Sequence, residues 1–265
     1  LLVWPESAYP FALPRNGTAD FDPSRPYRIR RGFESPLIFG AITHDTVARD
    51  LPPYNSALLL AGEELIARFD KVFLLVFGEY IPLGESLPWL ASLMPPAAGS
   101  FRPGEEMVTF PLVHDGSVYR VGPMICYEDI LPSFGRELGA MRPHLLVNVT
   151  NDAWFGDTAE PWQHMALSVF RAVEVRTDLV RAVNTGVSSI IGADGAVLNE
   201  TYAVDPDINP RGTDGFVGEV ALLEGGNTVY MKVGDLFGWL CAIFTLFLWL
   251  VWPRVGRSKP QKSKR

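Results

Sequence analysis

Leu236 to Trp252 reads LFGWLCAIFTLFLWLVW, a run without one charged residue, bounded by Asp235 on one side and by Pro253-Arg254 on the other. Wound as an α-helix it measures about 25 Å, at the short end for a bilayer core of about 30 Å. Trp239, Trp249 and Trp252 lie toward its ends, where amphipathic rings favour the headgroup level. A helix apolar on every side is either buried in a core or set in a membrane. The residues after Pro253 decide between the two: Arg254, Arg257, Lys259, Lys262, Lys264 and Arg265 follow, with no acidic residue among them. A polybasic exit does not fit a buried helix. The expectation is a transmembrane helix over 234–253, a basic cytoplasmic tail over 254–265, and a body over 1–233 on the far side of the membrane.

That body is acidic, because the chain carries a net charge of -7 in spite of its basic tail. Such a surface repels phosphate backbones, which excludes nucleic acid as a partner. Its 24 Gly and 22 Pro point to short elements joined by tight loops. Strand-like runs occur at Leu1–Trp4, Leu37–Thr43, Ser56–Leu60, Leu65–Phe69, Met107–Leu112 and Ser117–Ile125, the last two turning at Asp115-Gly116. Further runs follow at Leu145–Val149, Leu179–Asn184, Ser188–Ile191, Ala196–Thr201 and Phe216–Leu222. Helical spacing appears at Leu131–Met141 and Gln163–Arg176. Strands mixed with helices on this scale predict one α/β sandwich domain. Pro82 to Gly104, rich in Pro and Gly, reads as a long binding arm. The chain opens directly on a strand without Met, so upstream sequence is expected.

Three reactive side chains follow strand-like runs: Glu6, Lys71 and Cys126. In open α/β sheets, ligands gather beyond the carboxyl ends of strands, so groups far apart in sequence can share a cleft. The trio has a shared chemistry. A free thiol is mostly neutral at pH 7, and a carboxylate in reach can take its proton. An ammonium alongside favours the thiolate and stabilises the oxyanion of a tetrahedral intermediate. Taken singly, the Cys reads as core and the two charges as strand-end surface. Cys241, the only other cysteine, lies inside the apolar run, which places it out of disulfide reach of Cys126. His44, His114, His144 and His164 are scattered, with no zinc-ligand spacing and no cofactor motif.

The words around the trio carry more than the residues alone. WPES (Trp4 to Ser7), FDKVFLLVFGEYIPLGE (Phe69 to Glu85) and ICYEDILP (Ile125 to Pro132) occur in that order. They are followed by NVTNDAWFGDTAEPWQHMALSVFRAVEVRTDLVRAVNTGVS (Asn148 to Ser188). Together they resemble the active-site motifs of the nitrilase, or carbon–nitrogen hydrolase, superfamily, in the form found in apolipoprotein N-acyltransferases. The resemblance implies a nitrilase-like α-β-β-α sandwich followed by a carboxyl-terminal membrane helix. It implies Glu6 as general base, Lys71 as oxyanion stabiliser and Cys126 as a nucleophile that becomes a thioester. Glu79, Tyr127 and Glu128 match supporting active-site positions. The implied partners are a phospholipid acyl donor such as phosphatidylethanolamine, the diacylglyceryl-cysteine of an apolipoprotein, and a bacterial inner membrane with the catalytic body on its extracytoplasmic side. No cofactor or metal is implied. The family also has membrane helices, and a first strand and helix, ahead of the WPE word. Phe73 and Leu75 to Phe77 stand where it more often has polar or proline residues. Two other readings use the same residues: a soluble amidase or nitrilase acting on a small substrate, and a lipoprotein-binding module without turnover.

Overall fold

A computed structural model of the chain describes residues 1–48, 50–84, 86–87, 89, 100–203, 215–226 and 228–255, with side chains through residue 250. Most of the predicted arm over 82–104 and most of the basic tail lie outside the described residues.

Two sheets face one another, and each is drawn from one stretch of sequence. The first uses β1 (Leu2–Val3), β2 (Leu13–Pro14), β3 (Leu37–His44), β4 (Tyr54–Ala61) and β5 (Glu64–Asp70). Its order is β1-β3-β4-β5, with β2 paired to the far end of β3. The second uses β6 (Phe110–His114), β7 (Ser117–Ile125), β8 (Leu145–Thr150), β9 (Leu179–Val183), β10 (Gly186–Ile191) and β11 (Val197–Ala203), adjacent in that order. Strands β7, β8 and β9 run parallel. Parallel neighbours need crossovers, and these are α1 (Pro132–Ala140) and α2 (Glu160–Val175), which pack on each other outside the second sheet. The β6–β7 hairpin turns at Asp115-Gly116, both with positive φ (47° and 74°), as an Asp-Gly two-residue loop requires.

Alternation assigns the faces of the first sheet. Ile38, Ala57, Leu59 and Phe69 pack inward against Val121, Ile125, Val147 and Val149 of the second sheet, in the main core. Leu37, Phe39, Ala41, Leu58 and Leu60 face outward and pack with Tyr9, Leu13 and Ile29 in a separate cluster. Tyr9 and Ile29 sit in irregular chain, and Leu13 in the two-residue β2. Among the described residues no helix covers this outer face, and a loop lies on it. The Asp20 carboxylate holds that loop, accepting hydrogen bonds from the backbone N–H of Phe21, Ile29 and Arg30 at 2.7–2.8 Å.

Other departures are local. Phe216–Leu222, read as a strand, joins no ladder. It is a run of alternating apolar residues that lies against the second sheet, with Gly218 close to Ile190 and Asn199, without backbone pairing. Strand β6 starts at Phe110 rather than Met107, and α2 gains a turn before Gln163, opened by Pro161 near its amino end.

The body hands over to the apolar run through α3 (Val229–Val233), capped by the Thr228 hydroxyl, which accepts from Met231 N at 3.1 Å. Met231 packs into the groove between α1 and α2, where Gly139 leaves the room. Beyond it, α4 spans Leu236–Val255, and every described side chain on it is exposed. Among the described residues no helix is long and apolar enough to cross a membrane.

Candidate active site

β3 presents Gly40 to the inner face, and the absence of a side chain there is the point. A Cβ there would lie 2.5 Å from the Glu6 Cα and 2.6 Å from Ser7 N. The WPES turn is thus laid directly on the strand, tied by Gly40 N donating to Pro5 O at 3.1 Å. Ser7, at φ 52°, completes the bend that turns Glu6 into the space between the sheets. On β4, Asn55 is buried and its Nδ2 donates to Glu6 Oε1 at 2.5 Å and to Glu79 Oε1 at 3.1 Å. Just past β5, the Lys71 ammonium, 1% exposed, pairs with Glu79 Oε2 at 2.8 Å. Glu79 itself is fixed by Leu75 N at 2.8 Å.

The second sheet delivers the sulfur. β7 stops at Ile125, and Cys126 takes φ 51°, in the left-handed region that non-glycine residues rarely adopt. A tight helical turn, Cys126–Ile130, follows at once and leads into α1. Strain of this kind persists only where surrounding contacts hold it. Here Asn148 Nδ2 donates to the Cys126 carbonyl at 3.0 Å. Glu128, wholly buried, holds both sides of the turn: Oε1 accepts from Val72 N at 2.7 Å and Phe73 N at 3.1 Å, and Oε2 from Ile125 N at 2.9 Å. One carboxylate therefore staples the Lys71 loop to the strand that ends at the nucleophile.

Glu6, Lys71, Glu79, Cys126 and Tyr127 line one cavity of about 210 Å³, while Glu128 stands behind its wall. The rest of the lining is largely apolar, with Leu75, Phe101, Trp154, Phe155 and Leu167 prominent. Burial raises the Glu6 carboxyl above its ordinary value, against the lowering pull of Lys71 and Asn55. Burial and the neighbouring Glu6 charge push the Cys126 thiol up to about 12. Burial alone would discharge Lys71, but Cys126, Glu6 and Glu79 around it raise its pKa instead. The resting site therefore carries a neutral thiol beside a fixed ammonium. Among the described residues no hydrogen-bond partner of good geometry reaches Glu6 Oε2, which leaves it open to receive a proton.

The sequence reading missed Asn55, although an Asn inside the apolar run YNSALLLA is a visible anomaly. It also passed over His164 as one of four scattered histidines. His164 is buried on α2, its Nε2 2.8 Å from Asp129 Oδ1 and its Nδ1 2.9 Å from Asp152 Oδ1. Arg181 Nε, from β9, donates to the other Asp129 oxygen at 3.0 Å. Asp152, Glu160 and His164 are the one cluster of metal-ligand type among the described residues. With a carboxylate on each ring nitrogen, the imidazole is a double donor and has no lone pair to offer a metal.

A sandwich whose sheets bring a carboxylate, an ammonium and a thiol to one cavity is the arrangement of a nitrilase-type fold, and the comparisons agree. The family model for carbon-nitrogen hydrolases matches residues 31–206, and the chain belongs to that family. Its curated relatives include the apolipoprotein N-acyltransferase of Geobacter metallireducens, 38% identical over 245 residues, covering 91% of this chain and 43% of the relative. The apolipoprotein N-acyltransferase of Bdellovibrio bacteriovorus is 40% identical over 210 residues, covering 76% and 38%. The chain thus spans about two fifths of the length of these relatives. Among solved structures, an amidase from Nesterenkonia sp. aligns with 64% of this chain and 57% of its own at 22% identity, with a TM-score of 0.44.

Proposed function

We propose that the chain is the catalytic part of an apolipoprotein N-acyltransferase, with Glu6, Lys71 and Cys126 as the reacting trio. The observation that carries this reading is the convergence of those three residues, from two sheets, on one cavity with an apolar wall. In the first half-reaction, Cys126 Sγ attacks the sn-1 ester carbonyl of a phospholipid while Glu6 takes the thiol proton. The Lys71 ammonium, held by Glu79, stabilises the oxyanion. As the ester C–O bond breaks, Glu6 returns the proton to the leaving lysophospholipid alkoxide and a thioester remains. In the second half, the neutral α-amine of a diacylglyceryl-cysteine attacks the thioester. Glu6 removes the amine proton and the sulfur leaves, recovering its proton from Glu6. Asn55, Tyr127 and Glu128 support the geometry. The leucines, phenylalanines and tryptophans of α4, exposed on every side, call for hydrocarbon around them. They support a membrane span over 234–253, with the tail cytoplasmic and the body over 1–233 on the outer face of a bacterial inner membrane. The same apolar surface weighs against hydrolysis of a small polar amide, which needs no bilayer.

Incubation with isotopically labelled phosphatidylethanolamine in mixed micelles, followed by mass spectrometry of the Cys126 peptide, tests the reading. An acyl adduct that disappears on adding a diacylated lipopeptide, and never forms in Cys126→Ala, is expected. Ammonia release from small amides, with no adduct from lipid, would overturn it in favour of a hydrolase.

A further inference from the structure

Behind the nucleophile runs a chain of buried charges that the mechanism above does not use. Asp129 lies in the turn Cys126–Ile130 and is fully buried. His164 on α2 joins it to Asp152, which directly follows β8 and is also fully buried. Arg181 on β9 occupies the second Asp129 oxygen. The link therefore crosses from the nucleophile's turn, through a helix, to the loop that bears Trp154 and Phe155 on the cavity wall. Breaking one partner of a buried ion pair leaves an uncompensated charge, which is far costlier than losing an exposed one.

The placement of the charges matters as much as their number. Cys126 shares the cavity with Glu6 from the WPES turn and with Lys71 and Glu79 from the segment after β5. Burial first, then the Glu6 charge and more weakly the Asp152 charge, opposes ionisation of the sulfur, and Lys71 favours it. His164 faces Asp129, Asp152 and Arg181, with Glu160 on its own helix 4.0 Å away. Lys71 answers Glu6 and Glu79. His164 is the cation that answers Asp152.

We propose that His164 is a positioning residue, a permanent imidazolium that ties the nucleophile's turn to the cavity wall and partly offsets the Asp152 charge that bears on the Cys126 sulfur. The carboxylates on its two nitrogens outweigh burial and raise its pKa to about 10, so the cation persists at neutral pH. This rests on Cys126 being the reacting group, yet its test needs no substrate. Only the thiol is read.

The experiment follows alkylation of Cys126 by iodoacetamide as a function of pH, quantified on the Cys126 peptide of the full chain in detergent. Three variants are compared with wild type. His164→Gln removes the cation and is expected to move the alkylation midpoint up by about one pH unit. Asp152→Asn removes the opposing charge with little change of shape and is expected to move it down. The double variant is expected to return near wild type. Opposite shifts that cancel are a signature of charge, because a purely structural loss would move both single variants the same way. Unchanged midpoints, or two shifts of one sign, overturn the proposal. Should His164→Gln fail to fold, the sign of the Asp152→Asn shift decides alone. Failure of the lipid-labelling experiment with these shifts intact would leave the charge relationship standing and remove only the acyl-transfer reading.

Discussion

Glu128 does more for the site than its place behind the cavity wall would indicate. Three backbone N–H groups converge on its carboxylate, two from the Lys71 loop and one from the strand that ends at Cys126. An amide in its place can accept on one side only, and turns a donor toward the other. Leaving one buried N–H without a partner costs about 1–3 kcal/mol. Glu128→Gln should therefore lower the rate of Cys126 acylation by roughly 10- to 100-fold, measured as the burst of thioester on labelled lipid. A stability readout adds a sign. Burial raises the Glu128 pKa to about 7, so its folded form holds a proton that the unfolded chain releases from about 4.5. The stabilisation linked to that proton is complete below the unfolded value and lost as pH rises through about 7. The melting-temperature gap between wild type and Glu128→Gln should accordingly narrow between pH 5 and pH 8, while the activity defect persists. A gap that stays constant would show that the carboxylate ionises at its ordinary value, and one that widens would place its folded pKa below that value.

Among the elements, β3 shows how a site depends on what a strand leaves out. Gly40 carries no chemistry, and the WPES turn can rest on the strand only because no side chain stands there. Gly40→Ala should displace Glu6 and cut turnover at least tenfold. The same variant should stay folded, with iodoacetamide still reaching Cys126; near-normal turnover would show that Glu6 needs no such seat. This kind of dependence explains what was legible in the sequence. Period-two and period-3.6 patterns gave nearly every strand and both crossover helices, because burial of one face imposes those periods. Asp115-Gly116 announced its hairpin by backbone preference. The motif words marked Glu6, Lys71, Glu79, Cys126, Tyr127 and Glu128, five of which line the cavity. Contacts between segments distant in sequence leave no such trace: Asn55 bridging Glu6 and Glu79 depends on the assembly of the first sheet, and His164 joining Asp129 to Asp152 on the packing of α2 over the second. Phe216–Leu222 erred for a related reason. Alternation reports a half-buried extended chain, and the decision to pair belongs to its neighbours.

At the scale of the molecule, the link from body to apolar helix is short and well seated. Met231 fills the groove over Gly139, Thr228 Oγ1 donates to Glu174 O at 2.6 Å, and only Gly234 and Asp235 separate the end of α3 at Val233 from α4. In the proposed membrane reading, a join this short would set the height and tilt of the body above a bilayer. The chain expressed in a bacterial host should remain in the membrane pellet after alkaline carbonate extraction, and deletion of 236–265 should release it to the supernatant. Retention of the truncated body would place its membrane affinity in the cavity rim instead.

The division of the site between two sheets has a consequence for the order of synthesis. Domains emerge from the ribosome amino end first, so Glu6 and Lys71, the proposed base and oxyanion cation, are made before the sulfur beside which they stand. Until β7 and β8 dock against β3 and β4, the cysteine has neither its base nor its cation. An unfinished chain passing through the cell with a bare thiol is therefore a poor reagent. Chemical aggressiveness arises only on closure, and with it, in the proposed reading, the ability to take an acyl group from a lipid.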